Sequence, residues 1–235
     1  MKRFAAIVIC LILVKWWFTD PTISVPTNDV TFNYIVKYTE ASNKSEPLPM
    51  LVALHGNGDT TGNFYDTALD ELNVPVRVIL IEGPIPNGRG NAWPWTSEDF
   101  IQYGKSVNEA IELLTLKYPT IRKPVLLGFS GGGMMAYYQA VKHGDSYSYI
   151  FPISGKFSID LLGDDSSNSG AEVYAFHGEN DQVLSINGGR HAVEILKSKG
   201  VNVSLTEFEG GHLGVFKSMK SAITSAIEER ILSLN

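Results

Sequence analysis

The most informative segment of the sequence is Val125-Leu126-Leu127-Gly128-Phe129-Ser130-Gly131-Gly132. Its apolar start predicts a buried strand, and the residues from Met134 to Val141 predict a helix directly after it. A G-x-S-x-G pattern between a strand and a helix predicts a tight turn that presents Ser130 as a nucleophile. Glycines are expected on both sides because a Cβ atom would clash where neighbouring backbone comes close. The backbone N–H of Gly131, at the helix start, would then point toward a developing negative charge.

Outward from this segment, strand-like and helix-like patterns alternate along the chain. The predicted strands are 32–38, 50–54, 76–81, 124–128, 149–153, 172–176 and 202–208. Helical spacing of apolar residues appears around 107–114, 134–141, 192–196 and 219–231. This alternation predicts an α/β fold with a mostly parallel central sheet and helices on both faces. About eighteen residues separate the strands ending at Ile153 and beginning at Glu172, which leaves no room for a large lid.

A general base for the serine is expected at His212. It follows Gly210-Gly211 after a late strand, and a flexible loop at the carboxyl end of that strand can reach back to Ser130. The other four histidines have simpler interpretations. We predict surface positions for His143 and His191, and loop-holding hydrogen bonds for His55 and His177, each of which precedes a glycine.

The acid that orients the histidine is expected at Asp181, after the strand that ends at Phe176. A carboxylate there can fix the imidazole tautomer and stabilise the imidazolium. Glu179 is the near rival, while Asp160, Asp164 and Asp165 lie one strand earlier and are weaker candidates. The chain order Ser, Asp, His is the one found in proteins whose nucleophilic serine lies on such a strand–turn–helix segment.

An early loop, Leu54-His55-Gly56-Asn57-Gly58-Asp59, follows another apolar strand. The glycines that flank Asn57 allow its backbone N–H to turn into the pocket as a second oxyanion donor. A nucleotide-binding role is disfavoured because the spacing is not G-x-G-x-x-G and no Lys-Ser/Thr follows.

These segments, together with His177-Gly178-Glu179-Asn180-Asp181-Gln182-Val183 and Gly211-His212, resemble the four sequence blocks of the phospholipase/carboxylesterase family. That family includes acyl-protein thioesterases and small bacterial esterases. The resemblance runs from about residue 50 to the C-terminus and implies an α/β-hydrolase fold. It also implies a Ser130–His212–Asp181 triad, oxyanion N–H groups from Asn57 and Gly131, a small-molecule ester substrate, and neither a metal nor an organic cofactor.

A tryptophan-bearing segment, Gly90-Asn91-Ala92-Trp93-Pro94-Trp95, resembles the loop that this family places beside its pocket. We therefore predict Trp93 and Trp95 as substrate-binding residues, with Phe100 as a further lining candidate, for short-chain acyl or small aromatic esters. Two features depart from the family pattern: Gly131 stands where thioesterase-like members have glutamine, and Trp95 and the extra proline alter the aromatic loop. The substrate class stays open, and dienelactone-hydrolase-like, feruloyl and polyester-type esterases remain alternatives. So do a peptidase or aminoacyl amidase on the same fold and a catalytically silent binding module.

The composition of the chain bounds these functions. Its 235 residues fit one domain, its formal net charge of −6 argues against nucleic acid as a partner, and a single cysteine excludes an internal disulfide. Lys2-Arg3 followed by the apolar run Phe4–Val14 is typical of an export signal. We predict a signal or uncleaved anchor over residues 1–18, a linker over 19–27 and the catalytic domain over 28–235. The protein would then be exported, periplasmic or extracellular, with membrane association through this segment if it stays uncleaved. The alternative is an N-terminal strand or helix packed on the domain. The oligomeric state is not predicted.

Overall fold

The computed structural model describes residues 23–161 and 170–234. Within these residues, eight strands form one sheet and two short strands form a separate hairpin. The strands are β1 (Ile23–Pro26), β2 (Thr31–Tyr38), β3 (Met50–Leu54), β4 (Arg77–Ile81), β5 (Ile85–Asn87), β6 (Gly90–Ala92), β7 (Val125–Phe129), β8 (Tyr149–Ile153), β9 (Glu172–Gly178) and β10 (Val203–Phe208). The hairpin pairs β5 with β6.

Four helices lie between strands along the chain, and two more follow the last strand. They are α1 (Thr61–Ala68), α2 (Ser97–Lys117), α3 (Gly131–Lys142), α4 (Ile186–Ser198), α5 (Val215–Ser218) and α6 (Lys220–Leu232). The Thr60 and Thr96 side chains cap the first two helices by accepting a backbone N–H from Asn63 and Asp99. None of the helices in the described part of the chain combines the length and apolar character that a membrane span requires.

The sheet order is β1-β2-β4-β3-β7-β8-β9-β10. In this order, each neighbouring pair from β4 to β10 is parallel. Strand β2 runs antiparallel to both of its neighbours, β1 and β4. Leu54 pairs with Gly128, and Phe129 pairs with Ile153, so the carboxyl ends of three central strands lie side by side. This edge is where ligands bind on open parallel sheets. The predicted α/β class with a mostly parallel sheet is confirmed.

Two apolar layers cover the sheet, one on each face. Strands β3, β4 and β7 are buried at every position, as expected for strands packed on both sides. One layer includes α2, α3 and α4, and the other includes α1, α5 and α6. Helices therefore cover both faces, as the sequence predicted.

Most predicted element boundaries lie within a few residues of those observed, but the segment assigned to a linker differs. Ile23–Pro26 forms the edge strand β1 and pairs antiparallel with Thr31–Tyr34. Thr, Ser and Pro suggested a loop there, yet an edge strand tolerates such residues because one of its sides has no strand partner. The predicted signal over residues 1–18 lies outside the described residues, as do residues 162–169.

Candidate active site

Ser130 lies on the sharp turn between β7 and α3. Its backbone has φ 53° and ψ −114°, a conformation that residues other than glycine rarely adopt. A Cβ atom on Gly128 would overlap the carbonyl of Gly132, and one on Gly132 would overlap the carbonyl of Leu54. The glycines of the G-x-S-x-G segment are therefore needed for close backbone approach, as the sequence predicted. The Ser130 N–H donates to the Ile153 carbonyl at 2.9 Å, which ties the turn to β8.

His212 reaches the serine from the loop after β10. Its Nε2 atom lies 2.9 Å from Ser130 Oγ, and its Nδ1 atom lies 2.7 Å from Asp181 Oδ2. The imidazole packs against the Phe129 ring with 4.9 Å between centroids, which leaves 11% of its side chain exposed. The ring is therefore held between a hydroxyl and a carboxylate but remains open to a substrate.

Asp181 is buried on the loop after β9, and all of its side-chain acceptors are in use. Its Oδ1 atom accepts the backbone N–H groups of Val183 and Leu184, each at 2.8 Å, while Oδ2 faces the imidazole. The rival Glu179 is exposed on the same loop. The three residues predicted as a triad thus form one hydrogen-bonded chain. Such a chain can move a proton from the hydroxyl to the imidazole and stabilise the resulting charge.

The two residues predicted to supply oxyanion N–H groups lie next to each other. Asn57 is on the loop after β3, and Gly131 is at the start of α3. Gly131 is the first residue of α3, so its N–H has no acceptor within the helix. The Asn57 side chain lies directly beside it, because a Cβ atom on Gly131 would overlap Asn57 Oδ1. That oxygen accepts the Trp93 N–H at 2.8 Å, which fixes the orientation of the amide.

A buried histidine holds this loop in place. His55 Nδ1 donates to the Gly56 carbonyl at 2.7 Å, and its Nε2 accepts the Gly83 N–H at 2.9 Å. Burial lowers the pKa of His55, which favours the neutral ring that both contacts require. The prediction that His55 holds a loop by hydrogen bonding is confirmed.

The two tryptophans have different environments, and the prediction for one of them is wrong. Trp93 has 0% exposed surface, and its indole N–H donates to the His55 carbonyl at 2.8 Å. Trp93 therefore packs and anchors the loop, with no surface left to contact a substrate. Trp95 is 65% exposed.

Trp95 forms one wall of a cavity of about 200 Å³. Residues lining this cavity include Trp95, Phe100, Met134, Lys156, Phe157 and Leu161. Met134 lies one turn into α3, the helix that begins directly after Ser130, and its N–H donates to the Ser130 carbonyl at 2.9 Å. Lys156 and Phe157 were not predicted from the sequence. Their position just after β8, the strand next to β7, was the signal that could have found them. Among the described residues, no cluster of three or more His, Cys, Asp or Glu side chains could hold a metal ion.

This fold and this arrangement of serine, histidine and aspartate define the α/β-hydrolase class. Residues 38–228 match the phospholipase/carboxylesterase family, and the chain belongs to that family. Its family is one of carboxylic ester hydrolases.

Individual relatives agree with this classification. The chain is 24% identical over 177 residues to feruloyl esterase C of Emericella nidulans, which covers 72% of this chain and 63% of that protein. The chain therefore spans less than two thirds of that relative's length. The crystal structure of a Bacillus cereus carboxylesterase superposes with a TM-score of 0.68 at 18% identity, covering 83% of this chain and 94% of the other. Acyl-protein thioesterase 2 of Zea mays gives 0.67 at 19% identity, covering 84% and 98%. These structural likenesses establish the fold.

Proposed function

We propose that this protein is a serine esterase that hydrolyses small carboxylic esters through an acyl-enzyme, with Ser130 as nucleophile, His212 as base and Asp181 as the orienting acid. The observation that carries the proposal is the chain of contacts from Ser130 Oγ through the imidazole to Asp181 Oδ2, with distances of 2.9 and 2.7 Å. Its position at the carboxyl edge of the sheet, beside an apolar cavity, supports the same conclusion.

The reaction begins when Ser130 Oγ attacks the ester carbonyl carbon and its proton passes to His212 Nε2. Asp181 stabilises the imidazolium, and the N–H groups of Asn57 and Gly131 bind the negative oxygen of the tetrahedral intermediate. One such donor is typically worth about 3 kcal/mol. The carbon–oxygen bond to the alcohol breaks as the alcohol takes the proton from His212. Water then attacks the acyl carbon while His212 takes one of its protons. That proton passes to Ser130 Oγ as the carboxylic acid is released.

The substrate class follows from the cavity beside the serine. A volume of about 200 Å³ with Trp95, Phe100 and Phe157 in its walls suits a short acyl chain or one aromatic ring. The names of the relatives, a feruloyl esterase and a carboxylesterase, describe activities of the same kind.

The nucleophile is tested by Ser130→Ala with a 4-nitrophenyl ester as substrate. We expect turnover to fall by a factor of about 10⁴ or more while the fold is retained. Ser154→Ala is the matched control, because Ser154 directly follows the neighbouring strand β8, also has a positive φ, and is fully buried. Near-wild-type turnover by Ser130→Ala would remove Ser130 from the mechanism.

The reaction class is tested with nitrophenyl esters of rising acyl length beside one aminoacyl amide. We expect the shortest and the aromatic esters to give the highest kcat/KM. Turnover of the amide without the esters would instead indicate an amidase. A folded sample that no ester and no fluorophosphonate probe modifies at Ser130 would indicate a silent binding module.

Export forms a separate part of the proposal and rests on Lys2-Arg3 and the apolar run Phe4–Val14. N-terminal sequencing of protein recovered outside the cytoplasm would locate a cleavage point, or would find Met1 retained on a membrane-bound form. Recovery of all the protein in the cytoplasm would contradict export.

A further inference from the structure

His177 is a second histidine at the proposed triad, and the mechanism above does not use it. It lies on β9, four residues before Asp181, and has 0% exposed surface. Its Nε2 atom lies 2.7 Å from the Leu184 carbonyl oxygen and 3.3 Å from Asp181 Oδ2. Both neighbours are acceptors, so Nε2 must carry the proton.

The other side of the ring faces helix α4. Nδ1 is buried and has no hydrogen-bond partner among the described residues. A Cβ atom on Gly189, in the first turn of α4, would lie 2.5 Å from Nδ1, so the helix backbone passes directly over it. The ring is therefore fixed between β9 and α4, with Nε2 directed at Leu184 and Asp181.

The contacts of His177 and Asp181 fix the loop that follows β9 at Leu184. The Leu184 carbonyl accepts from His177, and the Leu184 N–H donates to Asp181 Oδ1. Asp181 Oδ2 meets two histidines: it accepts from His212 Nδ1 at 2.7 Å and has the longer polar contact with His177.

We infer that His177 is a positioning residue, which holds Asp181 Oδ2 toward His212 Nδ1. The inference rests on the proposed function and adds a fourth member behind its triad. A carboxylate oxygen that lies between two N–H groups is held by both of them, so Oδ2 keeps its direction toward His212 Nδ1.

The charged groups near His177, besides Asp181 and His212, are Glu207, Arg190 and Glu179. Glu207 lies opposite His177 on β10 and pairs with Arg190 of α4 at 2.6 and 2.8 Å. The hydrogen bonds from Arg190 lower the pKa of Glu207, so it stays ionised. Glu179 is exposed on the neighbouring loop, and Asp181 and His212 are the groups whose coupling is at issue.

The test compares His177→Phe with His177→Gln in the full-length protein. Gln keeps an N–H near the position of Nε2, whereas Phe fills the space without a donor. For His177→Phe we expect kcat on a nitrophenyl ester to fall about tenfold or more, with KM within about twofold of wild type. His177→Gln should lose less than about threefold in kcat, because its amide N–H replaces the Nε2 donor.

A purely packing role would overturn the inference. It would give both variants the same loss in kcat. If His177→Phe does not fold, Gly189→Ala displaces the ring sterically, and the low-field proton resonance of His212 Nδ1–H reports on the bond to Asp181. That resonance should shift in Gly189→Ala and not in Gly62→Ala, where an added Cβ meets no atom within 4 Å. An unshifted resonance in Gly189→Ala would contradict the inference. Absence of ester turnover by the wild-type protein would instead reject the proposed function.

Discussion

The side-chain oxygen of Asn57 occupies the space in which a side chain at position 131 would begin. The Trp93 N–H fixes that oxygen at 2.8 Å, so the Asn57 amide cannot simply rotate away. Asn57 and Gly131 therefore form a matched pair. The position after Ser130 therefore has no room for a side chain while Asn57 keeps this orientation.

This pairing predicts that Gly131→Ala damages catalysis more than folding. The new Cβ would push Asn57 away and disturb both oxyanion N–H groups, so kcat/KM should fall about 100-fold, the loss typical for one donor. Steady-state kinetics on a nitrophenyl ester measures the loss.

The double variant Asn57→Gly with Gly131→Ala provides the control for that prediction. Removing the Asn57 side chain frees the space, so the two changes should be non-additive and the double variant should recover at least about tenfold. Additive losses would show that the two side chains do not compete for the same space.

The two tryptophans should separate stability from substrate binding. Trp93→Ala removes a fully buried ring and its hydrogen bond to the His55 carbonyl, so we expect a loss of about 3–5 kcal/mol in the free energy of unfolding. Trp95→Ala should change that free energy by less than about 0.5 kcal/mol but raise KM for an aromatic ester about fivefold. Urea unfolding and KM measurements on both variants test this; a rise in KM for Trp95→Ala on short aliphatic and aromatic esters alike would argue against an aromatic contact.

The active-site segments were predictable from sequence because their signals are local. The glycines around Ser130 and Asn57 report close backbone approach, and the order of Ser130, Asp181 and His212 reports strand ends at one edge. Burial was not predictable in the same way. Trp93 and Trp95 lie two residues apart in one loop, and only the position of that loop over β3 buries the first and exposes the second.

Features that depend on contacts between separate elements were not predicted from the sequence either. The strand Ile23–Pro26 owes its conformation to Thr31–Tyr34, since its own Ser and Pro residues favour a loop. The contact of His177 with Asp181 was likewise hidden. It depends on how the loop after β9 folds back and on the approach of Gly189 from α4.

The stability of the protein should decrease as the pH falls below about 6.5, the ordinary pKa of histidine. Burial lowers the pKa of His55 and of His143 in the folded state. The unfolded chain therefore binds protons below that pH that the folded chain does not, and stability is full above it and lost as the pH falls. Protonation of His55 Nε2 would also set two donors against each other, because this atom accepts the Gly83 N–H.

Urea unfolding at about pH 5, 6 and 7.5 measures this dependence. His55→Asn should have a shallower slope with pH, although it is less stable overall. His191→Ala should keep the wild-type slope, since His191 is exposed on α4. An equal slope in His55→Asn and wild type would show that His55 is not the titrating group.

The positive φ of Ser130 predicts a variant that loses activity and gains stability. A side chain at φ 53° and ψ −114° is strained by about 1–3 kcal/mol, and glycine adopts this conformation without that strain. Ser130→Gly should therefore be more stable than Ser130→Ala by about 1 kcal/mol or more, although neither variant hydrolyses esters. At Ser225, an exposed position inside α6, the same pair of changes should have the opposite sign, because glycine is less favourable than alanine in a helix interior by about 0.5–1 kcal/mol. Urea unfolding of the four variants decides the matter. If the glycine and alanine variants differ in the same direction at both positions, the turn at Ser130 stores no strain, and the serine is held by its surroundings at no cost to the fold.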